Sequence, residues 1–231
     1  MAYEIIKMNE NTWRIEDGFH VRFFLLTGSE KAMLIDCGMT VRNAKEIAAE
    51  LTDLPLSLIL THADPDHIGS LDAFNDFYMS PAEEFNLFGM QKKTCSYTPV
   101  KEGDIIDLGD RPLEIVALPG HTAGCIGILD LNAKAFFTGD PIQDGMIFMF
   151  GPHRDITSYR ETLLKVNAMK DRFDVIYPSH GTIPVEKDLV MKLYNATSDI
   201  LAGGCFAFDM DFHGMPVKCY DMKIAKFLMD K

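Results

Sequence analysis

The segment Leu60-Thr61-His62-Ala63-Asp64-Pro65-Asp66-His67 places four potential metal ligands, His62, Asp64, Asp66 and His67, within six residues. Pro65 stiffens the turn that carries them. Imidazole and carboxylate in one loop suit zinc, iron or manganese. Three more candidates stand in similar settings: Pro119-Gly120-His121-Thr122-Ala123-Gly124, Phe137-Thr138-Gly139-Asp140 and Pro178-Ser179-His180-Gly181. Each follows an apolar run and is flanked by Gly or Pro, so each reads as a loop leaving a strand end, where functional side chains gather. A single histidine after a strand is ordinarily a loop residue. Here four of the seven histidines fall in such motifs, whereas His20, His153 and His213 do not and read as structural or surface residues. His153 follows the apolar stretch 146–150, which either walls a pocket or packs in the core. The chemistry such a ligand set serves is hydrolysis, because a bound divalent ion brings the pKa of water from about 15.7 to near 7.

The elements that must position these loops alternate strand and helix. Phe23, Phe24, Leu25 and Leu26 run through a Thr27-Gly28-Ser29-Glu30 turn into Ala32-Met33-Leu34-Ile35-Asp36, which reads as a hairpin. Val41, Ala44, Ile47, Ala48 and Leu51 recur at helical spacing, which predicts a helix over 41–51. Residues 56–60 form a nearly continuous apolar run, the mark of a strand buried on both faces. A short helix over 81–87 opens with Pro81 in its first turn. Strands are expected over 105–108, 113–118, 125–129, 135–138 and 174–177. Ser158 with Glu161 fits a capping box, followed by the stripe Tyr159, Leu163, Val166 and Met169. A helix over 185–201 stops at Gly203-Gly204, and 217–220 with 224–228 reads as a closing hairpin. Strands dominate each half and each half carries helices, so two packed sheets with helices outside fit better than one parallel sheet.

Composition narrows the partners. The chain has 231 residues, a length that suits one domain over 1–231. Its formal charge of −12 argues against nucleic acid and anionic membranes, both of which call for a basic surface. The five cysteines are widely spaced with no CxxC, and the N-terminus lacks a signal-peptide pattern, so a reducing cytoplasm is expected. Cys37 and Cys125 lie close in sequence to the ligand motifs and read as buried, inert thiols. The residues carry no indication of oligomeric state.

Taken in order, His62-x-Asp64-x-Asp66-His67, Gly120-His121-Thr122, Gly139-Asp140 and His180-Gly181 resemble the metallo-β-lactamase superfamily. Leu34-Ile35-Asp36-x-Gly38 and the C-terminal strands match as well, so the resemblance spans nearly the whole chain. The stretch from Leu118 to Gly124 looks most like the hydroxyacylglutathione hydrolase (glyoxalase II) branch. The resemblance implies an α+β fold, an αββα sandwich of two mixed sheets with helices on the outer faces. It implies two divalent metal ions at one sheet edge, zinc first, with iron or manganese as alternatives. His62, Asp64 and His121 would hold one ion, Asp66, His67 and His180 the other, and Asp140 would bridge them. Asp36 would orient the ligand loop. A bridging hydroxide would be the nucleophile, with Asp66 orienting it and carrying its proton. The expected activity is hydrolysis of a small-molecule thioester, ester or lactone.

One position departs from the family pattern. Asp64 stands where the common motif has His, and where the flavodiiron oxygen and nitric oxide reductases have Glu. Three carboxylates and a hydroxide then balance two divalent ions, and the harder oxygen ligand tilts preference from zinc toward iron or manganese. A diiron redox enzyme is therefore the alternative within enzymes, although 231 residues leave no room for a flavin domain. A metal-stabilised binding or sensing protein without turnover is the alternative of another class.

Overall fold

The computed structural model describes residues 3–18, 21–91 and 95–231. The first sheet has seven strands in chain order: β1 (Glu4–Asn9), β2 (Thr12–Asp17), β3 (Val21–Thr27), β4 (Ala32–Ile35), β5 (Leu56–Ile59), β6 (Tyr78–Met79) and β7 (Thr98–Pro99). β1 to β4 are antiparallel neighbours, and β4 to β7 are parallel. The hairpin of β3 and β4 is the one expected from its turn residues. Helix α1 (Ala44–Leu51) makes the β4-to-β5 crossover and buries Ala44, Ile47 and Ala48, the face its periodicity marked. It begins three residues later than its spacing predicts.

The second sheet runs β13-β11-β10-β9-β8, from β8 (Ile105–Asp107), β9 (Pro112–Ala117), β10 (Ile126–Asp130) and β11 (Ala135–Gly139). After β11 the chain leaves for β12 (Met146–Met149) and α2 (Ile156–Ala168), then returns as β13 (Val175–Pro178), parallel to β11. The two sheets pack through Phe24, Leu26, Met33, Ile35 and Ile59 on one side and Ile115, Ile126, Ile128 and Phe137 on the other. Phe24 meets Phe137 edge to face at 5.0 Å. Burying each such side chain contributes roughly 1.5–3 kcal/mol. α1 covers the outer face of the first sheet. α2 and α3 (Leu189–Leu201) cover that of the second. β5 sits between two cores, with Leu58 on the helix side and Ile59 on the inter-sheet side. The αββα sandwich is thus the architecture, with both sheets mixed.

Several local expectations are corrected. α2 is capped by Asp155, whose carboxylate accepts from the Thr157 and Ser158 amides, so Ser158 lies inside the helix and no Ser158–Glu161 box forms. A carboxylate at this position also complements the helix dipole. Residues 81–87 split into a 3-10 turn (Pro81–Glu83) and a π turn (Phe85–Met90). α3 starts at Leu189, because Val185 instead bridges to Ile176. The closing hairpin is part of a third sheet, ordered β12-β16-β15-β14, with β14 (Phe208–Phe212), β15 (Met215–Asp221) and β16 (Lys226–Asp230). No helix of the described residues is long and apolar enough to cross a membrane.

Candidate metal centre

The ligand motifs occupy the loops that leave β5, β9, β11 and β13 at their C-terminal ends. Two buried carboxylates hold these loops together. Asp36 follows β4 in the left-handed region at φ 62°, a conformation uncommon outside Gly, Asn and Asp. Its Oδ1 accepts from the Thr61 amide at 2.7 Å, and its Oδ2 from the Thr61 hydroxyl and from His67 Nδ1, each at 2.7 Å. Glu83 spans the loops of the two sheets. Its Oε2 accepts from the Ala63 amide at 3.0 Å, and its Oε1 from the Gly124 amide at 2.9 Å and the Thr122 hydroxyl. Gly120, at φ 132°, lets the His121 loop lie against α2; a Cβ there would stand 2.3 Å from Tyr159 Cα.

Hydrogen bonds fix the tautomers of the three buried imidazoles. His67 donates from Nδ1 to Asp36. The Thr61 hydroxyl gives its proton to Asp36, so it accepts from His62 Nδ1 at 3.0 Å. His121 donates from Nδ1 to the Phe148 carbonyl at 2.8 Å. A neutral ring that donates from Nδ1 carries its lone pair on Nε2. All three Nε2 atoms turn toward the carboxylates of Asp64, Asp66 and Asp140. His67 Nε2 is 3.2 Å from Asp140 Oδ1 and 3.7 Å from Asp66 Oδ2. His121 Nε2 is 3.6 Å from Asp140 Oδ2 and 3.4 Å from Asp64 Oδ2. His62 Nε2 is 3.7 Å from Asp64 Oδ2. His180 Nε2 lies 3.0 Å from Asp66 Oδ2 and 3.4 Å from Asp140 Oδ1.

This arrangement fits divalent ions. His62 Nε2, His67 Nε2 and Asp140 Oδ1 are buried without an aligned hydrogen-bond partner. Each buried polar atom left so costs about 1–3 kcal/mol. Ring nitrogens and carboxylate oxygens crowded this closely form a donor set that a divalent ion, displacing the ring protons, would satisfy. The donors form two groups, Asp66, His67, Asp140 and His180, and His62, His121 and Asp140, with Asp140 common to both. We call the first of these the outer pole, because the Asp66 and His180 side chains are 22% and 23% exposed. The second is the inner pole, where His62 and His121 are fully buried.

The electrostatics follow from this crowding. Burial, with His67 alongside, pushes His62 down to about 3. For His67 burial alone would lower the pKa, but Asp66, Asp36 and Asp140 outweigh it and hold the ring well above the usual imidazole range. Burial would raise Asp140, yet His180 and His67 keep it well below the usual carboxylate range.

All seven expected ligands therefore lie in one cluster, but Asp64 differs from the rest. Arg154 Nη2 donates to its two oxygens at 2.9 and 2.8 Å, and Asn86 Nδ2 to Oδ1 at 2.9 Å. Arg154 Nη1 donates to the His121 carbonyl at 2.8 Å and lies 3.2 Å from both His121 ring nitrogens. Among the other expectations, His213 is exposed at the β14–β15 turn, and His153 is exposed with its ring 4.2 Å from that of Phe85 and tilted 42° to it. His20 lies outside the described residues. Cys125 is buried, and that burial pushes its thiol well up, so it stays protonated. The Cys37 thiol is buried and donates to the His67 carbonyl. The stretch 146–150 divides by strand alternation: Ile147 and Met149 enter the core, while Phe148 and Phe150 group with Phe212.

Arg154, Asn86 and Glu83 escaped the sequence reading. Ser80-Pro81-Ala82-Glu83 has the form of a capping box, which disguises Glu83 as a helix start. Arg154 carries no motif. Its one signal is indirect: a further buried carboxylate at Asp64 calls for a cation.

The comparisons with known proteins place the chain in a family. Residues 17–180 match the model of the metallo-beta-lactamase superfamily. The chain is 28% identical over 210 residues to human acyl-coenzyme A thioesterase MBLAC2, covering 71% of this chain and 74% of that protein. It is 31% identical over 195 residues to the hydroxyacylglutathione hydrolase GloC of Haemophilus influenzae, covering 71% and 88%. Among solved structures, a metallo-beta-lactamase from Pontibacter korlensis superposes with a TM-score of 0.73 at 19% identity, over 86% of this chain and all of that one. With its fold, its ligand loops and the match over most of its length in agreement, the chain belongs to the metallo-β-lactamase superfamily and is a hydrolase of that fold with a His/Asp metal-binding cluster.

Proposed function

We propose that the centre is binuclear and that the enzyme hydrolyses a small-molecule thioester, with esters and lactones as the nearest alternatives. The outer-pole ion would be held by Asp66, His67, Asp140 and His180. The inner-pole ion would be held by His62, His121 and Asp140, with Asp64 beside them. The observation that carries this reading is the crowding of the buried ring nitrogens and carboxylates into two ligand groups that share Asp140, with His62 Nε2, His67 Nε2 and Asp140 Oδ1 lacking a hydrogen-bond partner. Divalent ions bound there would polarise a substrate carbonyl and acidify water. Zinc is our first choice, with iron and manganese as the others. The names of the thioesterase and hydroxyacylglutathione hydrolase relatives support the thioester class. The five widely spaced cysteines support a cytoplasmic setting.

The chain's own residues divide the remaining work. Asp66 is the most exposed carboxylate of the cluster, with a 22% exposed side chain against 7% for Asp64 and 4% for Asp140. On this reading Asp66 would orient an attacking water and accept its proton. Asp36 holds His67, and the Phe148 carbonyl holds His121, so neither ring can turn its lone pair away. The test is a panel of thioesters, esters and lactones offered to chelator-stripped protein with zinc, iron or manganese restored in turn. Metal-restored turnover of a thioester is expected. Turnover that survives complete metal removal would overturn the reading.

A further inference from the structure

We propose that Arg154 is the positioning residue of the inner pole, cancelling the charge of Asp64 and aiming its Oδ2 at the space between His62 and His121. The proposal rests on the reading that the inner pole binds an ion. It starts from a local excess of negative charge. Asp36, Asp64, Asp66 and Asp140 are all drawn into one cluster of ring nitrogens. Of these, Asp64 alone is paired with a permanent cation among the described residues. The Arg154 and Asp64 side chains are 13% and 7% exposed, so the pair is largely removed from water. A guanidinium cannot lose its proton, so this positive charge is fixed at every working pH.

Arg154 is itself rigidly placed. Its Nη1 is held by the His121 carbonyl at 2.8 Å and the Phe148 carbonyl at 3.3 Å. Next to it the Asp155 amide donates to the Gly120 carbonyl at 2.9 Å. The guanidinium is thereby locked to the His121 backbone and to the Phe148 carbonyl that also sets the His121 ring. Among the described residues Asp64 Oδ1 is shared by Arg154 and Asn86, whereas Oδ2 accepts from Arg154 and faces the His121 ring. A carboxylate oxygen has two acceptor sites. Oδ2 therefore keeps one open toward His121 Nε2 at 3.4 Å and His62 Nε2 at 3.7 Å. The pair offers the inner pole an oxygen donor whose charge is already cancelled. A neutral residue at position 64 would instead leave an uncompensated guanidinium facing a divalent ion.

The experiment is a double-mutant cycle read by metal affinity, in chelator-competition titrations with zinc. The proteins are wild type, Asp64→His, Arg154→Met and the Asp64→His/Arg154→Met double variant. His121→Ala and His180→Ala identify which binding step belongs to which pole. Asp64→His is expected to weaken the inner-pole step about 10-fold or more while leaving the outer-pole step unchanged. In the Arg154→Met background the same change should cost at most about two- to threefold. Asp64→Asn, close in shape and equally neutral, should repeat the loss and its rescue should the imidazole disturb folding; thermal melting of every variant checks this. A merely structural ion pair would lower melting temperatures without separating the two binding steps. Two bound ions with an additive cycle would overturn the role of Arg154 and leave the binuclear reading standing. A wild type that holds one ion at every zinc concentration would overturn both.

Discussion

The two poles of the centre share Asp140 but are built differently. The outer pole takes three of its four donors from motif residues on the loops after β5 and β13, and its main support, Asp36, stands at the next strand end in the same motif-bearing region. The inner pole is sealed from solvent; Thr61 of the motif holds His62, but its other supports come from positions without any motif: Glu83 on a 3-10 turn, Asn86 on a π turn, Arg154 before α2 and the Phe148 backbone. The contrast separates two requirements. Ligand identity is written in short spacings. Charge balance inside a sealed site is solved by whatever residue the fold delivers there.

The sharpest break between a pole residue and a residue outside the poles is His67→Ala against His213→Ala. Losing His67 removes an outer-pole donor and leaves Asp36 without its imidazole. Turnover should fall roughly 100-fold or more with loss of outer-pole metal, while His213→Ala should match wild type. Steady-state kinetics with metal content measured alongside checks this, and equal turnover in the two variants would remove His67 from the centre.

Support residues should show smaller and pole-specific effects. Asp36→Asn keeps the size of the side chain but loses the charge-assisted bond to His67 Nδ1, so outer-pole affinity should fall about 10- to 100-fold, with a smaller loss at the inner pole through the Thr61 hydroxyl that holds His62. Competition titration separates the steps. Glu83→Gln turns an amide NH2 toward at least one of the donors of Ala63, Thr122 and Gly124. It should cost about 1–3 kcal/mol of stability, seen as a lowered denaturation midpoint, and should loosen the inner pole more than the outer.

The poles should also differ in pH response. In the metal-free site the neighbouring carboxylates overcome burial and raise His67 and His180 above the ordinary imidazole range. An arriving ion must displace those protons, so outer-pole affinity should weaken as pH falls through and below that raised range. His62 is held down at about 3 and has no proton to give up near neutrality. Calorimetry in buffers of different ionisation enthalpy should register proton release on filling the outer pole. Affinity that is flat between about pH 6 and 8 at that pole would contradict the assignment.

Much of this was legible in the residues. The strand-exit motifs, the sandwich and the hairpin of β3 and β4 follow from turn residues and apolar periodicity, which are local signals. What was not legible has physical reasons. Asp155 replaced Ser158 as the α2 cap because the chain enters the helix extended at Asp155, which a Ser-x-x-Glu spacing does not record. The third sheet joins β12 to β16 in parallel across some 80 residues, a pairing no short window can reveal. Arg154 meets Asp64 over a separation of 90 residues, and one of 22 basic residues cannot be chosen for that partner by spacing.

The central claim, two ions sharing Asp140, is tested most directly by anomalous diffraction. Crystals of the intact protein loaded with zinc, iron or manganese would be measured above and below the edge of each metal. The account predicts two anomalous peaks per chain, one bounded by Asp66, His67, Asp140 and His180 and the other by His62, His121 and Asp140, with Asp64 against the second and still paired to Arg154. A single peak under every loading condition, or peaks away from these residues, would contradict it.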